Sequence, residues 1–120
     1  MRRALAPGGV FFFDMNMERG FLEHWADHYA IVEDEDVCIL RGDYDRKERV
    51  GRYEITVFRR EAKHWQRTDT LIRERCYTMR EIKGALRRAG FRAISSFDAE
   101  TETGLTEHVG RVFFLAHVKA

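Results

Sequence analysis

The order of periodicities along this chain predicts an α/β fold, α+β-like in its arrangement. Three observations carry that reading. A wholly apolar run follows a Pro-Gly-Gly turn near the N-terminus, a long middle stretch alternates with period two, and a capped amphipathic helix leads into two further strands.

The N-terminal words come first. Arg2 to Ala6 reads as the last turn of a helix, stopped by Pro7-Gly8-Gly9, because proline cannot continue a helix and glycine frees the backbone to turn. Val10-Phe11-Phe12-Phe13 is apolar at every position, which predicts a strand buried on both faces, as in a parallel sheet covered by helices. Asp14 and Asn16 then fall at its C-terminal end. Residues 21–29 fit a short helix, since Phe21, Leu22, Trp25 and Tyr29 recur at helical spacing. An acidic cluster fills positions 33–36.

From Val37 the period changes to two. "VCILRGDYD", "GRYEITVFRR" and "HWQRTDTLIRERCY" are separated by the polar turns "DRKERVG" and "REAKH". Together they predict an antiparallel meander of about three strands over residues 37–77. The strongest helix signal begins at Thr78. Thr78-Met79-Arg80-Glu81 is a capping box, Ile82, Ala85, Leu86 and Ala89 form one apolar face, and Gly90 is the stop. A strand over residues 91–97, a polar loop "DAETETGLTEHVG" and a closing apolar strand over 112–118 complete the chain.

Composition sets bounds on function. A length of 120 residues predicts a single domain, residues 1–120, large enough to bury roughly two-thirds of its unfolded surface. The 12% aromatic content argues for a packed core rather than disorder. A net charge of +1 gives no electrostatic basis for binding nucleic acid or an anionic membrane. No apolar run approaches the ~18 residues of a membrane span, and Asp14 and Asn16 interrupt the N-terminal apolar stretch too early for a signal peptide. Cys38 and Cys76 stand far apart in no metal-ligand spacing, so they read as free thiols of a cytoplasmic protein, with no metal expected.

Three words, in this order, carry a family likeness: "ALAPGGVFFFD" (Ala4 to Asp14), "YTMREIKGALRRAGF" (Tyr77 to Phe91) and "GRVFFLAHVKA" (Gly110 to Ala120). They resemble the C-terminal half of class I S-adenosylmethionine-dependent methyltransferases. The resemblance implies the C-terminal portion of a Rossmann-like sheet, in which the Pro-Gly-Gly turn precedes the fifth strand. The Glu-Ile…Ala-Gly-Phe helix precedes the sixth, and the seventh runs antiparallel between them. The meander is similar to the antiparallel insertion of members acting on small molecules, some of them sugar amines. The resemblance further implies S-adenosylmethionine as cofactor, bound by a half of the domain that would lie before Met1. No G-x-G-x-x-G occurs here, so no cofactor-binding residue is assigned to this chain. The fifth strand would then have lost a neighbour. An exposed apolar edge invites pairing, so a homodimer through that edge is expected.

Methyl transfer is an in-line displacement that needs alignment and desolvation more than a dedicated nucleophile. Ligands of open parallel sheets bind beyond the C-terminal strand ends. Asp14 and Asn16 are therefore candidates to orient a small-molecule acceptor, the bland reading being a polar turn that closes the strand. His24 and His28, at i and i+4, are candidate catalytic residues as substrate-side base or hydrogen-bond donor. They could also be two ligands of a metal site lacking a third, or solvated structural histidines. Trp25 and Tyr29 beside them are candidates for an aromatic pocket wall, against an ordinary core role. The alternating Arg41, Arg52, Arg59, Arg73 and Arg75 read as a solvated sheet face, or as a site where one or two forks bind an anionic substrate group. Two functions remain open at this point. One is the substrate-side half of a small-molecule methyltransferase, and the other is a non-catalytic α+β ligand- or protein-binding module.

Overall fold

The computed structural model describes residues 1–119. The chain divides into two compact units, one formed by Met1–Gly20 with the segment from Tyr77 onward, the other by Phe21–Cys76. The second is an insertion within the first.

The first unit is a three-stranded sheet with one helix. After a short 3-10 turn at Arg2–Ala4 come β1 (Val10–Asn16), then α2 (Met79–Arg88), β6 (Phe91–Asp98) and β7 (Arg111–Val118). The remaining elements, α1 (Glu18–His24) and β2 (His28–Val32), β3 (Asp36–Asp45), β4 (Val50–Glu61) and β5 (His64–Arg75), fall between β1 and α2. The strand order is β1-β7-β6, with β7 antiparallel to both neighbours. That is the order the resemblance implies for the fifth, seventh and sixth strands.

β7 shows why the sheet has one core face. Its residues alternate between half-buried and buried, with Val112, Phe114, Ala116 and Val118 pointing inward. They meet Ile82 and Leu86 of α2, together with Phe91, and Phe11, Phe13 and Met15 pack against the same cluster. Phe13 stacks on Phe114 at 5.1 Å, and Phe11 on Phe91 at 5.6 Å. Such pairs add about 0.5–1.5 kcal/mol beyond area burial. α2 starts where its sequence says: the Glu81 N–H donates to Thr78 Oγ1 at 3.1 Å. Ile82 and Leu86 are buried, whereas Ala85 and Ala89 remain exposed, so the inward face is narrower than the four-residue stripe suggests.

The expectation that β1 is buried on both faces is corrected. Its burial alternates, and Phe12 is 60% and Val10 45% exposed. The physical reason is coverage: α2 packs on the face carrying Phe11 and Phe13, and among the described residues of this unit no helix packs on the other. β6 carries a register shift between Arg92 and Ser95, with Ala93 at φ +45°. The bulge lets both Phe91 and Ile94 reach the core.

The second unit is a four-stranded antiparallel meander, β2-β3-β4-β5. Two corrections apply here. The helix expected over residues 21–29 ends at His24, and His28–Val32 is a strand paired with β3. The inserted sheet thus has one more strand than expected. Leu40 and its neighbours offer a strand edge, and the run Tyr29-Ala30-Ile31-Val32 is rich in strand formers. The unit's small core joins Phe21, Trp25 and Cys76, with Tyr44 and Tyr53 packed against them. Gly42 and Gly51 make room for it. A Cβ on Gly51 would lie 2.6 Å from the Trp25 ring and 2.7 Å from the Phe21 ring.

Gly110, at φ +76°, sits on the backbone of Gly20, and the Met17 N–H donates to its carbonyl at 2.7 Å. A Cβ there would collide with Gly20 backbone nitrogen and Cα, which cannot swing aside. Gly110→Ala is expected to lower stability by about 1–3 kcal/mol through overpacking and the left-handed backbone. Urea unfolding checks this; an unchanged midpoint would contradict the tight backbone crossing.

Candidate functional site

The candidate residues divide between the two units. Asp14 and Asn16 belong to the first. Both fall at the C-terminal end of β1, as the sequence places them. The strand register sets Asn16 opposite Arg111, and Arg111 reaches diagonally to Asp14, its Nη1 donating to Oδ2 at 2.9 Å. Arg111 is the neighbour of the candidate Asp14 that sequence reasoning missed. It lies 97 residues from Asp14, and only the strand pairing brings them together. The pair is half-exposed, so its effect is orientation of the carboxylate more than stability.

The loop entering β7 continues this polar rim. Arg19 pairs with Glu100 at 3.2 Å. The Glu100 oxygen in that pair is buried and receives no directed hydrogen bond, so proximity of charge is its compensation. Asp98 accepts the N–H groups of Glu100 and Thr101, each at 3.0 Å. Hydrogen bonds from Thr101 hold its carboxyl below the usual carboxylate range.

His24, Trp25, His28 and Tyr29 belong to the second unit. The shared helical face expected for His24 and His28 is corrected: His24 ends α1 and His28 begins β2. His28 Nε2 donates to the Gly42 carbonyl at 3.1 Å, which fixes the proton on that nitrogen in the neutral ring. The His24 carbonyl accepts from the Tyr53 hydroxyl at 3.1 Å. Trp25 is 8% exposed, with its ring against Phe21 at 4.9 Å and Tyr53 at 4.5 Å. Its environment is that of core packing. Tyr29 is half-exposed on β2. Burial, with Tyr29 and Asp27 nearby, raises the Tyr53 phenol above its ordinary value. Among the described residues no group of His, Cys, Asp and Glu has metal-binding geometry.

The arginine row of the meander is answered by acids. Arg41 pairs with Glu54 at 3.1 Å, Arg59 with Asp36 at 3.0 Å and Arg67 with Asp69 at 2.9 Å. Arg41, Glu54, Thr56, Arg67 and Asp69 line an open cavity of about 350 Å³. At its floor Thr56, only 4% exposed, donates to Asp69 at 2.7 Å and accepts from Arg41 at 3.3 Å. The guanidinium charge is balanced inside the network, which fits a solvated sheet face better than an anion site.

The whole-chain likeness is to solved methyltransferases. A S-adenosylmethionine-dependent methyltransferase from Clostridium acetobutylicum ATCC 824 matches 99% of this chain over 48% of its own, with TM-score 0.76 and 19% identity. A sugar N-methyltransferase from Streptoalloteichus sp. ATCC 53650 matches 100% over 46%, with TM-score 0.74 and 19% identity. An amino pentose methyltransferase from Micromonospora echinaspora, solved with S-adenosylmethionine bound, matches 98% over 47%, with TM-score 0.65 and 20% identity. The chain has the fold of about half of a methyltransferase. No family model and no curated relative matches it.

The glycines do not build a cofactor cradle. Gly8 and Gly9 form the turn into β1, where the Gly9 carbonyl accepts from Val118, and Gly42 and Gly51 back onto Trp25 and Phe21.

Asp69 gives a pH test of the network. Hydrogen bonds from Thr56 and then Arg67 lower its carboxyl pKa. The folded chain therefore keeps it ionised at a pH where the unfolded chain, with a pKa of about 4, takes up a proton. Its contribution is present above the unfolded value and is lost as the pH falls through the folded one. Asp69→Asn is expected to be less stable than the parent at neutral pH, with the gap closing toward pH 2. Thermal melts across the acid range check this, and a gap independent of pH would contradict it.

Proposed function

We propose that this chain is the substrate-side half of an S-adenosylmethionine-dependent methyltransferase acting on a small molecule. The observation that carries the reading is the match of essentially the whole chain to about half of methyltransferases of known structure. The β1-β7-β6 order adds to it. Two of those neighbours are described as sugar N- and amino pentose methyltransferases, which supports an amine-bearing small molecule as acceptor.

On this reading Asp14 and Asn16, at the C-terminal end of β1, receive a hydroxyl or amine of the acceptor. Arg111 holds the Asp14 carboxylate in one orientation. His24 and Tyr29 are exposed on the inserted unit. His28, also exposed, uses its ring N–H on the Gly42 carbonyl and leaves Nδ1 as an acceptor. When bound, the cofactor supplies an activated methyl group. On this reading the cofactor is held by the part of the fold that this chain does not span.

Calorimetric titration tests the reading. This chain alone is expected to give no heat with S-adenosylmethionine or S-adenosylhomocysteine up to millimolar concentration. Micromolar binding by the chain alone would overturn the assignment of the cofactor site to other residues.

A further inference from the structure

β5 ends the inserted sheet, and among the described residues no strand pairs with its outer side. It runs for 12 residues in unbroken register with β4. The hairpin between them turns on Ala62, at φ +55°, and Lys63, so Glu61 and His64 close it as a hydrogen-bonded pair. At the far end the Cys76 N–H donates to the Arg49 carbonyl. Both ends give the same parity: the even-numbered residues of β5 bond to β4. In an antiparallel ladder the alternate residues point their N–H and C=O the other way. The backbone groups of Trp65, Arg67, Asp69, Leu71 and Arg73 therefore point off the edge of the sheet.

The edge is long and lacks proline, lysine and bulge, the usual devices that keep such an edge from pairing. Leu71 and Ile72 are both about half-exposed along it. Its remaining guard is charge, and one of those charges is unanswered. Arg73 stands opposite Arg52, which turns instead to Asp43 and Asp45. Among the described residues no acid pairs with Arg73. Asp69 shares its strand and face but lies about 13 Å away along the chain, out of reach.

We propose that the β5 edge docks a second copy of this chain, the two β5 strands pairing antiparallel about a two-fold axis at Leu71. Charge complementarity selects this occupant and this register. With the axis at Leu71, Asp69 of each copy falls directly opposite Arg73 of the other, so the pair is made twice. Leu71 meets Leu71 on the axis, and outward-pointing residues meet outward-pointing residues all along the edge. Arg67 comes opposite Arg75 of the second copy, and Arg67 keeps Asp69 of its own chain at 2.9 Å. The neighbouring registers are worse. An axis at Asp69 sets two carboxylates against each other, one at Thr70 sets Arg67 against Arg73, and one at Thr68 sets Lys63 against Arg73. The Leu71 register also brings Arg73 of the second copy to Asp69, on the rim of the cavity above Thr56. The two four-stranded sheets then form one continuous sheet. This inference does not depend on the function proposed above.

The test uses the full 120-residue chain. Sedimentation across a concentration series reads the mass, and hydrogen exchange reads the amides of Arg67, Asp69, Leu71 and Arg73. A dimeric mass is expected at high concentration, with these amides slowed about tenfold or more relative to the dilute chain. Arg73→Glu puts a second carboxylate opposite Asp69 and is expected to raise the dimer dissociation constant about tenfold or more. Within its own chain the new carboxylate faces Arg52, so the melting temperature of the dilute chain should not fall. Leu71→Pro removes one outward N–H and no bond to β4. It should abolish the dimer and leave the Thr70 amide protected. A monomeric mass at every concentration would overturn the proposal. So would a dimer whose β5 amides exchange freely, because another surface then joins the copies. Protected amides in a dimer indifferent to Arg73→Glu would overturn the register at Leu71.

Discussion

The antiparallel pairing of β7 with both β1 and β6 is the constraint on which the first unit depends. A central strand flanked on both sides has no free backbone, and its side chains must divide cleanly between two faces. Val112, Phe114, Ala116 and Val118 take the face under α2. Once they do, Phe11, Phe13 and Met15 on β1 are drawn to the same side, and Phe12 is forced to the other. The exposure of Phe12 is thus a direct result of burying its neighbours. The same pairing carries Arg111 to Asp14 and so builds the polar rim where the strands end.

The inserted unit works on a different principle. Its sheet is wide, and much of it is open to solvent. Stability comes from a compact aromatic group at one end, where Phe21 and Trp25 lie against Gly42, Gly51, Tyr44 and Tyr53. The rest of the sheet relies on the backbone ladder and cross-strand charge pairs, each of modest worth at an exposed position. Thr56 is the exception, a buried hydroxyl with both a donor and an acceptor satisfied.

Much of this was legible in the sequence, for identifiable reasons. The Thr78 cap, the Pro-Gly-Gly turn and the alternation from residue 37 onward are local signals, and local signals survive into the fold. β2 was obscured because Phe21 and Trp25 share a helical spacing that Tyr29 happens to continue, while Tyr29 belongs to a strand. The four-residue run Tyr29-Ala30-Ile31-Val32 was the available signal. Burial of β1 on one face only was beyond reach, because an apolar run states affinity for a core and not how many layers cover it. The Arg111–Asp14 pair and the Thr56 hub depend on register between distant segments, which no local pattern encodes.

The inserted unit begins at Phe21 and ends at Cys76, and both residues are buried in the same small cluster. The Cys76 N–H also returns to the Arg49 carbonyl. The insertion therefore closes on itself like a clasp. A segment that exits and re-enters at one point leaves little trace on its host, so its length and strand number can change while the host strands keep their register. Its surface can change without touching the residues that hold β1, β7 and β6 together.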